Sequence, residues 1–172
     1  LQAHGVRVTS IGKIYDLYAG AGIDETFPSK SNSEGMARLA ELAAAPVEGD
    51  SLLLLNLVDF DMLWGHRNDP EGMKKGLEEV DVWLGSFLRE LPNGPLLLLT
   101  ADHGNDPTTP STDHSREQVP LLAYLASGPG GRDLGTRIGF MDVAATLADF
   151  FGSAPARKGK SFLADVRKGP TS

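Results

Sequence analysis

At residues 51–58 the chain reads Ser-Leu-Leu-Leu-Leu-Asn-Leu-Val, and at residues 96–100 it reads Leu-Leu-Leu-Leu-Thr. Continuous apolar runs of this length are typical of strands that are covered on both faces, as in parallel sheets. Val119–Leu125 is a further run of the same kind, and Gly5–Gly12 has the β-branched character of a strand. These four segments are predicted to be the strands of one sheet.

Helical patterns lie between and after the predicted strands, over about residues 31–45, 70–91 and 141–151. Asp69 followed by Pro70 is a strong helix start, because a carboxylate can cap the first turn and Pro fits the first helical position. The basic tail after Ala154 is expected to lie along the surface. Strands that alternate with helices predict an α/β fold with a mainly parallel sheet flanked by helices.

Composition restricts the functional classes. The 172 residues include no Cys, which excludes disulfides and thiolate metal sites and suits a reducing, cytoplasmic location. The net charge is −7 and no run rich in Lys and Arg occurs, so no electrostatic case for nucleic-acid binding exists. The apolar runs are too short to span a bilayer. We therefore expect neither a nucleic acid nor a membrane as a partner.

Acidic residues and histidines collect in the loops that follow the two leucine-rich runs. The loops hold three of the four histidines and six aspartates: His66, His103, His114, Asp59, Asp61, Asp69, Asp102, Asp106 and Asp113. Open α/β sheets place their sites at the carboxyl ends of the strands, so these side chains are expected to meet. Carboxylate oxygens mixed with imidazole nitrogens suit Mn²⁺ or Zn²⁺. Two such ions about 4 Å apart can clamp a phosphoryl group.

Several of these residues have a structural alternative. Asp69 is expected to act as a helix cap, and Asp106 and Asp113 are expected to form turns. Asp59 is expected to face away from the site, because residues two apart in a loop need not converge. His4 is expected to be a solvated terminal residue.

The two loops read Val58-Asp-Phe-Asp-Met-Leu-Trp-Gly-His-Arg-Asn-Asp69 and Thr100-Ala-Asp-His-Gly-Asn-Asp-Pro-Thr-Thr-Pro-Ser-Thr-Asp-His-Ser-Arg-Glu117. They resemble the paired signatures of the phosphopentomutases, which belong to the alkaline-phosphatase superfamily. Segments at 12–20 and 30–32 and the closing helix are similar to that family as well, so the resemblance runs from about residue 12 to residue 162. It implies an alkaline-phosphatase-like core.

The resemblance also implies a site for two divalent metal ions, with Mn²⁺ as the expected ion and Zn²⁺ as the alternative. Carried over residue by residue, the family pattern assigns Asp61, His66 and His114 to one ion. It assigns Asp102 and His103 to the second.

For the complete enzyme, the resemblance implies interconversion of ribose 1-phosphate and ribose 5-phosphate, and of the deoxyribose counterparts, through a phosphorylated Thr. In the family this Thr, a further metal-binding Asp and the cap domain come from N-terminal sequence. Residues 1–172 are therefore expected to be the C-terminal portion of one catalytic core domain. Lys13 is expected to meet a substrate phosphate and Arg116 to support the loop of His114, with plain surface cations as the alternative.

The chain alone is expected to be inactive. It is also expected to associate with itself or with the N-terminal segment, because a sheet that lacks a strand exposes an apolar edge. Two alternatives stay open: a truncated, non-catalytic divalent-metal-binding domain, and a fragment of a cofactor-independent phosphoglycerate mutase or a related metal-dependent phosphatase. The phosphoglycerate mutases more often place the pair that corresponds to Asp61 and His66 one residue closer.

Overall fold

The computed structural model of the chain describes residues 1–126 and 128–168, and its central element is a three-stranded parallel sheet. The strands are β1 (Arg7–Ile11), β2 (Glu25–Phe27) and β3 (Ser51–Leu55), in the order β2-β1-β3. β1 lies in the middle, and the last four of its five residues are buried. A parallel sheet flanked by helices is confirmed, whereas the prediction that the four apolar segments form one sheet was wrong, because the described strands divide into two sheets.

The last two predicted strands pair with each other in the antiparallel sense, which the sequence analysis did not predict. β4 (Leu96–Thr100) and β5 (Leu121–Leu125) pair so that Leu96 lies opposite Leu125. A parallel pair needs a crossover, usually a helix, whereas residues 101–120 form an irregular loop that reverses the chain direction. β2 was not predicted either, because three residues are too few to show a strand pattern.

Two long helices pack onto the sheet as predicted. In α2 (Asn32–Ala44) the Ser31 hydroxyl accepts a hydrogen bond from the backbone N–H of Glu34. In α3 (Pro70–Glu90) the Asp69 carboxylate accepts from the backbone N–H of Gly72, which confirms its role as a cap. The helices contribute a buried leucine and a buried phenylalanine to one core cluster, whose fully buried members are Ile11, Leu39 and Phe87.

The leucines of β3 and β4 are only half-buried, although a continuous apolar run predicts cover on both faces. β3 pairs with β1 along one edge, and β4 pairs with β5 along one edge. Within residues 1–126 and 128–168, neither strand has a hydrogen-bonded strand along its other edge. Both strands therefore present apolar side chains beside an unpaired backbone edge.

The C-terminal tail lies along the surface with its basic residues exposed, as predicted, but it is also anchored in the core by buried apolar residues, which was not predicted. After α4 (Met141–Phe150) the chain reaches a short helix α5 (Leu163–Val166), and Phe162 before it is 0% exposed. The backbone N–H of Phe162 donates to the buried Thr146 hydroxyl at 3.0 Å. The tail contains many basic residues, so its few buried apolar residues were not recognised from the sequence.

Asp142 at the start of α4 ties the same region together. Its carboxylate accepts from the backbone N–H of Lys160 at 2.8 Å and from the Arg137 guanidinium at 3.1 Å. These contacts, the backbone bond most of all, hold the pKa of Asp142 below its ordinary value.

Among the described helices, none is both long and apolar enough to cross a lipid bilayer.

Candidate metal centre

The segment after β3 coils into two tight turns that carry the first pair of predicted ligands. A π-helical turn covers Phe60–Trp64 and includes Asp61, and a 3-10 turn covers Gly65–Arg67 and includes His66. Asn68 ends the second turn in the left-handed region, with φ 51°. Single π-helical turns are frequent at functional sites.

One oxygen of Asp61 faces two imidazoles. The Oδ1 atom lies 3.2 Å from Nε2 of His114 and 3.3 Å from Nε2 of His66. This oxygen is buried, and it has no hydrogen-bond partner in the part of the chain that the structure describes. Ligand atoms that surround a tetrahedral ion at about 2.1 Å lie about 3.4 Å apart. The two spacings and the unsatisfied oxygen therefore fit a cation held beside Asp61 better than they fit a hydrogen-bonded cluster.

The ring of His114 lies between the other two imidazoles. Its centroid is 3.6 Å from that of His103 and 5.0 Å from that of His66, and both pairs are stacked. Ligand atoms of Asp61, His103 and His114 lie within 4.8 Å of one another. Among the described residues these three form the group whose ligand atoms all lie this close together, so the structure places His103, predicted to bind the second ion, with Asp61 and His114. The predicted grouping of His66 with Asp61 and His114 on one ion stays a prediction.

Backbone carbonyl groups orient two of the rings. Nδ1 of His66 lies 2.6 Å from the Thr112 carbonyl oxygen, and Nδ1 of His103 lies 3.2 Å from that of Gly104. Because a carbonyl oxygen can only accept, each Nδ1 carries the proton. Nε2 is then the nitrogen of each ring that can bind a metal, which is the usual arrangement of metal-binding histidines.

The remaining predicted site residues lie at the margin of this cluster. The side chain of Asp102 is 68% exposed and contacts Nε2 of His103 at 3.7 Å. Lys13 precedes a short helix α1 (Ile14–Leu17), and its Nζ lies 2.9 Å from the Met62 sulfur, next to Asp61 in the chain. Arg116 is exposed, two residues after His114. The structure thus brings Asp61 and the three histidines together, with Asp102 beside them.

One contact between the two loops and one bridge within the second loop hold the histidines in place. The side-chain amide of Asn68 donates to the Thr109 carbonyl oxygen at 3.1 Å. An isolated bridge joins Gly104 to Ser115, the residues that directly follow His103 and His114. A Cβ on Gly104 would lie 2.5 Å from Cβ of Glu117, so only glycine allows this close approach.

The structure adds Asn32, which the sequence analysis did not assign to the site, as the partner of Asp59. The Asp59 carboxylate accepts from the backbone N–H of Asn32 at 2.7 Å, and the Asn32 side chain accepts from the backbone N–H of Asp59 at 3.0 Å. Both residues are buried. Asp59 therefore faces α2 rather than the metal cluster, as expected, and it fastens the loop of Asp61 to that helix. Asn32 and Asp59 are 27 residues apart in the sequence, and no local pattern indicates that they form a pair.

We expect Asp59→Ala to lower the free energy of unfolding by about 1.5–3 kcal/mol, since it leaves a buried N–H of Asn32 without its charged acceptor. Urea denaturation of the metal-free protein measures this difference. Asp113→Ala, at an exposed position of the other loop, is the control and should match the wild type. Equal midpoints for Asp59→Ala and the wild type would contradict the assignment.

Two other aspartates of the loops differ in their roles. The Asp106 carboxylate accepts from the Thr108 hydroxyl and backbone N–H, and these bonds, the hydroxyl bond most of all, lower the pKa of Asp106. Its predicted role in a turn is confirmed. Asp113 takes part in a turn through its backbone: its N–H donates to the Ser111 hydroxyl at 3.1 Å. His4 is exposed, as predicted.

Residues 5–155 match a family model described as the Metalloenzyme superfamily. The phosphopentomutase of Anaeromyxobacter sp. (strain K) is 54% identical over 164 residues, which cover 95% of this chain and 41% of that protein. The phosphopentomutase of Clostridium novyi (strain NT) is 45% identical over 168 residues, which cover 98% of this chain and 43% of that protein. The predicted resemblance is confirmed, and the chain spans about two fifths of the length of these relatives.

A solved structure, that of the PH0037 protein from Pyrococcus horikoshii, is similar to this chain with a TM-score of 0.66 at 18% identity. The likeness covers 92% of this chain and 52% of that one. At this identity the likeness supports the fold, and it agrees with the predicted alkaline-phosphatase-like architecture.

Proposed function

Since the chain belongs to the metalloenzyme superfamily, we propose that it provides metal-binding residues of a phosphopentomutase. Curated relatives of that name, 45% and 54% identical over almost the whole chain, support the proposal. The single observation that carries it is the buried Asp61 oxygen that faces two imidazole nitrogens without a hydrogen bond.

The donor set fits two divalent ions. Asp61, His66 and His114 would hold one ion, and His103 with Asp102 would contribute to the second site. Mixed oxygen and nitrogen donors suit Mn²⁺, which is the ion we propose. Bound there, the ions would neutralise charge on the phosphoryl group and lower the pKa of an attacking hydroxyl.

The protein's own residues orient the site and bind the substrate. The carbonyl groups of Thr112 and Gly104 keep the protons of His66 and His103 on Nδ1. Lys13, whose ammonium group lies against the loop of Asp61, is proposed to bind a substrate phosphate as a point charge. Arg116 is proposed to support the loop that ends at His114.

The proposed reaction interconverts ribose 1-phosphate and ribose 5-phosphate, and the deoxyribose counterparts, by way of a phosphorylated Thr. We propose that this Thr and a further Asp ligand are supplied by sequence outside residues 1–172. The same sequence, or a second copy of the chain, would cover the half-buried leucines of β3 and β4. We also propose a cytoplasmic location, for which the lack of Cys is the support.

Calorimetric titration with Mn²⁺ and an assay of ribose 1-phosphate turnover test these proposals on the same sample. We expect Mn²⁺ to bind and the chain alone to give no turnover. Turnover should appear when the chain is co-expressed with the N-terminal part of the Anaeromyxobacter relative. Failure of the wild type to bind Mn²⁺ would contradict the proposed metal site. Binding without turnover in the co-expressed sample would instead favour a non-catalytic metal-binding domain.

A further inference from the structure

The indole of Trp64 packs on the face of α3 that carries Gly72 and Gly76, two residues without side chains. A Cβ on Gly72 would lie 2.6 Å from Nε1 of Trp64, and a Cβ on Gly76 would collide with the six-membered ring of the same indole. The two glycines are four residues apart and so lie on one helix face. A glycine inside a helix costs about 1 kcal/mol relative to alanine. This pair therefore reduces helix stability and, in return, makes room for one aromatic ring.

Trp64 belongs to the turn that carries the proposed ligands. It lies three residues after Asp61 and two residues before His66. The Phe60 ring packs edge-on against the indole, with centroids 5.2 Å apart. The Trp64 carbonyl oxygen also accepts from the backbone N–H of Asp69 at 3.0 Å. The start of α3 thus holds the turn through both the side chain and the backbone of one residue.

We propose that Trp64 is a positioning residue, and that its packing on Gly72 and Gly76 sets the spacing of Asp61 and His66 for metal binding. The inference rests on the proposed metal site. The π-helical turn is a single turn of five residues whose N-terminus has no side-chain cap, so the packing of its last residue on α3 restricts its orientation. If the indole moves, the turn rotates, and the Asp61 oxygen leaves its position 3.2 Å from Nε2 of His114.

Gly76→Ala tests the inference, with Gly85→Ala in the same helix as a matched control. A Cβ on Gly85 would come no nearer than 4.0 Å to Nη1 of Arg89, the nearest atom within the described residues. Loss of an outer contact of a metal ligand weakens binding by about tenfold to a hundredfold. We expect Gly76→Ala to bind Mn²⁺ that much more weakly, and Gly85→Ala to bind like the wild type. Both variants should keep the helical circular dichroism signal.

A double-mutant cycle with Trp64→Ala separates the packing from a general loss of structure. Trp64→Ala should weaken Mn²⁺ binding by the same range. Adding Gly76→Ala to Trp64→Ala should cause no further loss, because the atoms that collide are gone. If Gly76→Ala gives too little folded protein for titration, the Mn²⁺ affinity of Trp64→Ala alone tests the inference.

Wild-type affinity in Gly76→Ala or in Trp64→Ala, or full additivity in the double variant, would overturn this inference alone. Absence of Mn²⁺ binding by the wild type would overturn the proposed metal site and this inference with it. The two failures are therefore distinguishable in the same titration series.

Discussion

Asp61→Asn is expected to reduce Mn²⁺ affinity by more than the roughly hundredfold effect of losing an outer-shell contact. The Asp61 Oδ1 atom lies 3.3 Å from Nε2 of His66 and 3.2 Å from Nε2 of His114, so its charge and its oxygen would contribute to the proposed first site as a whole. Asparagine keeps the shape of the side chain but removes the negative charge that attracts a divalent cation. Calorimetric titration of the purified variant measures the loss.

The metal-free stability of Asp61→Asn provides a second, independent readout. Because the Asp61 Oδ1 atom has no hydrogen bond within the described residues, the free energy of unfolding in EDTA should change little. Asp113→Asn, which removes an exposed carboxylate from the other loop, should leave both quantities as in the wild type. If Asp61→Asn binds Mn²⁺ as tightly as Asp113→Asn, the assignment of the first site is wrong.

Phe162→Ala is expected to have the largest effect on stability, about 3–5 kcal/mol, because it empties a fully buried aromatic position. The ring also lies 4.8 Å below the guanidinium of Arg137, and this cation–π contact would be lost with it. Thermal and urea denaturation of the metal-free protein measure the change. The loss should be seen with or without Mn²⁺, since Phe162 is not part of the proposed site.

Phe140→Ala is the matched control for this prediction. The same residue type is removed from a position that is 53% exposed, so the loss should be well below half of that for Phe162→Ala. Similar losses for the two variants would show that the tail is not anchored as described.

The local elements of the fold could be predicted from the sequence because their signals are local. The cap at Asp69, the proline that follows it and the apolar spacing of α3 all lie within one stretch of chain. The leucine runs identified β3 and β4 as strands for the same reason. The pairing of β4 with β5 depends on tertiary contacts, and an apolar run does not indicate the direction of the neighbouring strand.

In the candidate site, too, only the features with a local sequence signal could be predicted. Residue type and position after a strand predicted that three histidines and six aspartates would meet, and the family resemblance narrowed this set. The structure brings Asp61 and the three histidines together. The carbonyl partners of the imidazoles could not be predicted, because any residue offers a carbonyl oxygen and Thr112 has no signature for that role. Asn32 and the two glycines under Trp64 were not assigned either, since their partners become neighbours only in the folded chain.

The contacts between the two site loops have a consequence for how the protein folds and how long it stays folded. His66 and Thr112 are 46 residues apart, and Asn68 and Thr109 are 41 apart. Closing such long loops is entropically unfavourable, so these contacts are expected to form late, after the folding barrier has been crossed. Interactions that are not yet formed at the barrier slow unfolding and leave the folding rate unchanged. Divalent ions bound at the proposed site would stabilise these late contacts, so their supply in a cell would affect the lifetime of the folded chain rather than the speed of its folding.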